Sequence, residues 1–205
     1  MNEGPKEVIS SALVAAMLAI PGLLPAAEVQ KEIVNNDSAA EVCMAVNKKV
    51  RMIGDYTAFQ VANIVARTLY AEARNDGKDN GFMPVASVIY NRANGNKELF
   101  AKVCLKKYQF SCWNKFTDEE AKPDKFQIKI PTSVKNNKKN QKLWQQCMEI
   151  AANMLASENS FTPCTNANMY YATKKSNLKW AKQLKNSKQI GSHTFGYLKN
   201  HSKFY

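Results

Sequence analysis

Glu72, in the run Leu69, Tyr70, Ala71, Glu72, Ala73, Arg74, is a carboxylate where an apolar residue would be expected. Val61, Val65 and Thr68 lie eleven, seven and four residues before it, with Ile64 and Leu69 beside that line, so Glu72 continues the inward stripe of a helix. Burial disfavours the charged form of a carboxylate, which is how a glutamate comes to donate protons near neutral pH. Glycosidic cleavage needs such a donor at the leaving oxygen while positive charge grows on the sugar ring. A hydrolase would add a second carboxylate, about 5 to 5.5 Å away for retention or about 6.5 to 9.5 Å for inversion. Asp76, Asp79, Asp118, Glu119, Glu120 and Asp124 are available, and no pattern singles out one of them.

Further groups suit sugar recognition. Gln109, Ser111 and Tyr171 offer uncharged hydrogen bonds to hydroxyl and amide groups, while Trp113 and Tyr170 offer faces for stacking. Phe110, Trp113 and Trp180 serve a core equally well, and Arg74 suits an ion pair at a helix end. His193 reads as a hydrogen-bonded residue rather than a base or metal ligand. A Cys112–His193 nucleophile has no context that would lower the thiol pKa.

These residues fall in a fixed order: Ala71-Glu72-Ala73-Arg74, Asn91-Arg92, Gln109-Phe110-Ser111-x-Trp113, Tyr170-Tyr171, and Ile190-Gly191-x-His193-x-Phe195. In order and approximate spacing the set resembles the SleB and CwlJ type cell-wall hydrolases, which lyse peptidoglycan, over about Val61 to Tyr197. The resemblance implies an α+β, lysozyme-like, helix-rich domain with a small β-sheet, peptidoglycan as substrate and Glu72 as the catalytic acid. Tyr70, Arg74, Asn91, Gln109, Ser111, Trp113, Tyr170, Tyr171 and His193 then become substrate-binding candidates. It also opens a route without a second carboxylate: in lytic transglycosylation the sugar's own 6-hydroxyl attacks, and one glutamate acts first as acid and then as base. Asn75 and Asp76 stand where the family has glycine and an acidic residue, and Asn80 replaces a family glutamate, so the departures touch substrate detail more than reaction class.

Positioning these groups falls to a chain of 205 residues, 45% hydrophobic and 10% aromatic, enough for one domain plus an extension. Residues 8–20 form an apolar run followed by Pro21, Gly22 and small residues, the shape of an export leader without a basic start. The expected organisation is an apolar leader over 1–27, either an export signal or an uncleaved membrane-active or packing helix, a linker or N-terminal extension over 28–54 and a catalytic domain over 55–205. Export to the periplasm, wall or exterior follows from the leader, with a phage virion or phage lysin as alternative and transient membrane contact through residues 8–27. A first helix capped by Asp55 or Thr57 should run to Ala73 and stop at Gly77; a second should run from Pro84 to Arg92, and a third from about Asn140 to Ser157. Residues 116–140 read as an exposed excursion, with short strands at 126–130, 167–172 and 190–197.

The net charge of +12 is uneven, because Lys174 to Tyr205 contains eight lysines and no acid. Such a face attracts polyanions in general, so a catalytically inactive module gripping wall polymer or nucleic acid is the rival to an enzyme. A mere binder gains nothing from a costly carboxylate at Glu72, which argues against that rival, and nucleic acid is not an expected partner. Two histidines and no C-x-x-C pair argue against a metal site, and no cofactor is expected. Cys104 with Cys112 and Cys147 with Cys164 are possible disulfides in an oxidising compartment, and buried free thiols are the alternative.

Overall fold

The computed structural model describes residues 52–76, 81–135, 137–156, 160–174 and 178–199. These belong to the compact unit Met52–Tyr205, so the expected leader and nearly all of the linker lie outside the described residues. The protein is α+β, with five α-helices and two small antiparallel sheets among the described residues.

A two-stranded ribbon, β1 (Met52–Ile53) and β2 (Tyr56–Thr57), leads directly into helix α1 (Ala58–Ala73). Thr57 rather than Asp55 is the cap. Its hydroxyl accepts from Gln60 N at 3.1 Å while Gln60 Oε1 accepts from Thr57 N at 2.9 Å, a reciprocal capping box. The sequence of α1 is apolar around most of its circumference, and such a helix belongs in the centre of a domain. Accordingly Val61, Ile64, Val65, Leu69 and Tyr70 are sealed from solvent, with α2, α3 and α5 packed around them. Glu72 is half-buried at the end of that stripe. Gly77 lies outside the described residues.

Helix α2 (Phe82–Arg92) begins two residues before Pro84, which sits inside its first turn where a missing N–H costs nothing. Val85, Val88 and Ile89 point inward as expected. Helix α3 (Phe100–Leu105), announced by no strong periodicity, buries Phe100, Ala101 and Cys104. A short α4 (Thr132–Lys135) then precedes α5 (Lys138–Leu155), capped by Asn137, whose side chain accepts from Asn140 N at 3.1 Å. Trp144, Cys147, Ala151, Met154 and Leu155 are its core face.

The excursion after Phe116 forms no strand at 126–130. It is nevertheless tied down: Gln60 Nε2 donates to Pro123 O at 2.8 Å, Tyr56 donates to Ala121 O, and Phe126 is buried against Trp113 and Phe116. Side-chain anchors thus replace the backbone pairing that its β-branched residues suggested.

The larger sheet has the order β3 (Met169–Ala172), β5 (His193–Tyr197), β4 (Lys185–Ile190), all antiparallel. The single strand expected over 190–197 is in fact a hairpin, because Gly191 has φ +58 and turns the chain. A side chain at Gly191 would also meet Asp76 Cγ at 3.0 Å.

Candidate active site

Glu72 is presented by the last turn of α1, and its two carboxylate oxygens are held from two separate elements. Ser111, on the 3-10 turn Ser111–Trp113, donates its hydroxyl to Oε1 at 3.0 Å. Tyr170, on β3, donates its phenol to Oε2 at 2.9 Å. Both donors are neutral, and Ser111 is exposed, so the carboxylate is oriented without being walled off. Burial, and after it the charge of Glu72, pushes the Tyr170 phenol well above its usual range, so it remains a donor across the neutral range.

The 3-10 turn is itself fixed to α1. Trp113 Nε1 donates to Thr68 Oγ1 at 2.9 Å, and Thr68 in turn donates to Ile64 O at 2.8 Å. Trp113 is therefore largely a packed residue, 3% exposed, whose ring carries the Arg67 guanidinium at 4.4 Å.

Strand alternation decides the tyrosine pair. Tyr170, His193 and Phe195 share one face of the sheet, with the Tyr170 ring stacked on Phe195 at 5.3 Å and edge-on to His193 at 5.5 Å. Tyr171 points to the opposite face and meets Trp180 edge-on at 5.7 Å, so the structure does not bring it to Glu72.

Asn91 and Arg92 act on backbone. Asn91 Nδ2 donates to Thr165 O and Ala167 O, both at 2.8 Å, and Arg92 Nε donates to Asn168 O at 2.7 Å. Another Arg92 nitrogen donates to Gln109 Oε1 at 3.1 Å, which occupies Gln109 from inside. These residues carry the chain into β3 and so place Tyr170. Tyr70 is 1% exposed, packs edge-on to Trp144 at 6.0 Å, and its hydroxyl is 3.1 Å from Ser133 Oγ. Arg74 is exposed, with its guanidinium 5.7 Å from the Tyr70 ring.

A link that spacing alone did not reveal joins the end of α1 to the β4–β5 turn. Asp76 Oδ2 lies 2.8 Å from His193 Nδ1 and accepts from Ser192 Oγ at 2.8 Å, while Oδ1 accepts from Ser192 N at 3.3 Å. Burial works against ionisation of Asp76, but these hydrogen bonds and the His193 interaction outweigh it and hold the carboxyl below its usual range. Asp76 is thereby occupied as a structural acceptor. Of the other sequence candidates for a partner carboxylate, Glu119 pairs with Lys122, Glu120 caps Thr117, and Asp79 lies outside the described residues.

A hollow of about 170 Å³ has walls that include Arg67, Tyr70, Arg74, Cys112, Trp113 and Pro131, and Glu72 is not part of its lining. A larger one of about 310 Å³ lies at the far end of α2, around Tyr90, Asn96 and Phe161, away from Glu72. Among the described residues no cluster of His, Cys, Asp and Glu could hold a metal, and no helix is long and apolar enough to cross a membrane.

The four described cysteines are free thiols, so the pairings Cys104–Cys112 and Cys147–Cys164 do not form. Cys104 and Cys147 are buried as ordinary core residues, and Cys164 is exposed. Burial pushes Cys104 up to about 12 and, together with the charge of Glu72, pushes Cys112 higher still, the opposite of the depressed pKa a thiolate nucleophile needs.

The sequence profile of the family described as Cell Wall Hydrolase matches residues 76–196, more than half of the chain. The chain belongs to this family of cell wall hydrolases. Peptidoglycan is accordingly its substrate polymer. Neither the curated proteins nor the solved structures give a match. The matched region of this cell wall hydrolase contains Ser111, Tyr170 and His193 but begins four residues after Glu72. The place of Glu72 at the site therefore rests on the hydrogen bonds it accepts from two residues inside the match.

Proposed function

We propose that the protein cleaves the glycan strands of peptidoglycan between N-acetylmuramic acid and N-acetylglucosamine, with Glu72 as proton donor. The observation that carries this reading is a half-buried carboxylate with each oxygen held by a neutral hydroxyl, from Ser111 and from Tyr170. Protonated Glu72 gives its proton to the glycosidic oxygen as the C1–O bond breaks and positive charge develops on the ring. The carboxylate left behind is the form that both hydroxyls stabilise.

Lytic transglycosylation is the favoured route onward. The 6-hydroxyl of the muramic acid residue attacks C1, its proton passes to the Glu72 carboxylate, and a 1,6-anhydro ring closes while the donor is regenerated. Support comes from the occupied state of Asp76, which is engaged by Ser192 and His193 rather than free to activate water. Because the substrate lies outside the cytoplasmic membrane, the enzyme acts after export or as a phage lysin.

Glu72→Gln keeps the size and loses the proton. It should fold as the parent does and lower wall lysis by at least about 10²-fold. Mass spectrometry of digested peptidoglycan should show 1,6-anhydro ends from the parent protein. Retained lysis in the variant removes Glu72 from the mechanism, and hydrated reducing ends replace the transglycosylase route with hydrolysis.

A further inference from the structure

The two ring nitrogens of His193 have different surroundings. Nδ1 is 2.8 Å from Asp76 Oδ2 and 3.1 Å from Ser192 Oγ. An ionised carboxylate can only accept, so Nδ1 carries the proton and donates it to Asp76, and in the neutral ring Nε2 keeps its lone pair as an acceptor. Nε2 makes no hydrogen bond among the described residues. It is not sealed either: the buried, unpartnered side-chain atoms belong to Asn63, Arg67 and Trp144, and the His193 side chain is 16% exposed. Holding the β4–β5 turn to Asp76 requires Nδ1 alone. An asparagine could make that bond, so the fold has no use for the second nitrogen.

This spare acceptor sits on the Glu72 side of the sheet. His193 and Tyr170 share one face, and the His193 ring stands edge-on to the Tyr170 ring at 5.5 Å. The Tyr170 phenol in turn is 2.9 Å from Glu72 Oε2, so a single side chain touches both groups. Asp76, which fixes the tautomer, follows Glu72 by four residues. The end of α1 therefore sets the carboxylate directly and, through Asp76, orients the imidazole, as the aspartate of a catalytic triad does. Glycan strands carry hydroxyl and acetamido N–H donors along their whole length, and a fixed, open acceptor orients such a group. We infer that His193 Nε2 binds the glycan strand beside Glu72, accepting from an O–H or N–H of a sugar next to the cleaved bond. This rests on the glycan-cleaving reading above. Asp76 is then a positioning residue that acts through His193.

Calorimetric titration of the full-length Glu72→Gln protein with soluble peptidoglycan glycan fragments tests the contact without turnover. Adding His193→Asn keeps a donor for Asp76 and deletes the outer nitrogen. Tm should stay within about 2 °C of Glu72→Gln alone, while affinity for the strand falls about tenfold. A second readout leaves His193 in place. The chain has two histidines, so ¹⁵N-histidine spectra of the Glu72→Gln protein are simple to assign, and the Nε2 resonance of His193 should move on strand addition while Nδ1 stays the protonated nitrogen. De-N-acetylated fragments name the donor: an affinity loss that persists with them makes it a hydroxyl, and one that disappears makes it the acetamido N–H. Unchanged affinity in a variant that keeps its Tm, or an Nε2 resonance unmoved at saturating strand, overturns the contact. Should His193→Asn melt far lower, the Nε2 resonance decides by itself. Product analysis of the parent protein separates the two readings: release of peptides instead of sugars rejects glycan cleavage, whereas sugar products together with an unmoved Nε2 reject the His193 contact alone.

Discussion

Hydrogen bonds to the two oxygens of Glu72 differ in what fixes them: Ser111 rides on a turn pinned by Trp113 to Thr68, whereas Tyr170 is set by strand pairing. The strand side of this arrangement is braced by Asp76, whose contacts with Ser192 and His193 hold the β4–β5 turn against the end of α1. Because its folded pKa is depressed, ionised Asp76 contributes stability that is complete above the unfolded value near 3.9 and is lost as pH falls through the lower folded value. Asp76→Asn should therefore melt below the parent at pH 7, with the gap closing as both are acidified below about pH 4. Thermal melts at a series of pH values read this directly, and two curves that stay parallel down to pH 2 would reject the role. Arg67 gave no sequence signal beyond being a cation on an apolar helix, since the rings of Trp113, Phe116 and Phe126 that pack against it come from other elements.

Among the elements, α1 carries most of the responsibility, because it is both the core helix and the holder of Glu72. Its start is fixed locally by Thr57 and Gln60, and Gln60 also ties the long excursion through Pro123. Thr57→Ala removes half of the capping box and should cost about 1 kcal/mol. For a domain of this size that corresponds to a fall in Tm of about 2–4 °C, measurable by calorimetry, and an unchanged Tm would mean the box is not holding the helix. Helices with an apolar stripe, α1, α2 and α5, were legible from spacing to within about two residues at their starts. The short α3 was not, because six residues give too little periodicity to stand out. The segment 126–130 misled for the opposite reason: β-branched residues suit a strand, yet with no partner edge beside it the backbone has nothing to pair with.

For the molecule as a whole, stability comes from an apolar core around α1 rather than from cross-links. Cys104, Cys112, Cys147 and Cys164 are all free, two of them buried as small core residues. Adding a thiol reductant should therefore leave the Tm of the domain unchanged, and a drop of several degrees would show that a disulfide contributes after all. The strongly basic end of the chain forms an exposed strand, β4, with Lys185 and Lys188 facing solvent.

The sequence by itself determined the three long helices and the oddity of a carboxylate on an apolar stripe, which are written in local spacing, and the cell-wall family with its α+β class, which is carried by the order of short motifs along the chain. Tertiary structure alone decided which candidates meet. Pairing of β3 with β5 turned Tyr170 toward Glu72 and Tyr171 away, burial withdrew Tyr70 and Trp113 largely into the core, and Arg92 captured Gln109. Those outcomes depend on residues 39 and 98 positions from Glu72 arriving within 3.0 Å of its oxygens. No periodicity within one helix or strand can encode a contact of that range, because it is fixed only when separate elements pack against each other.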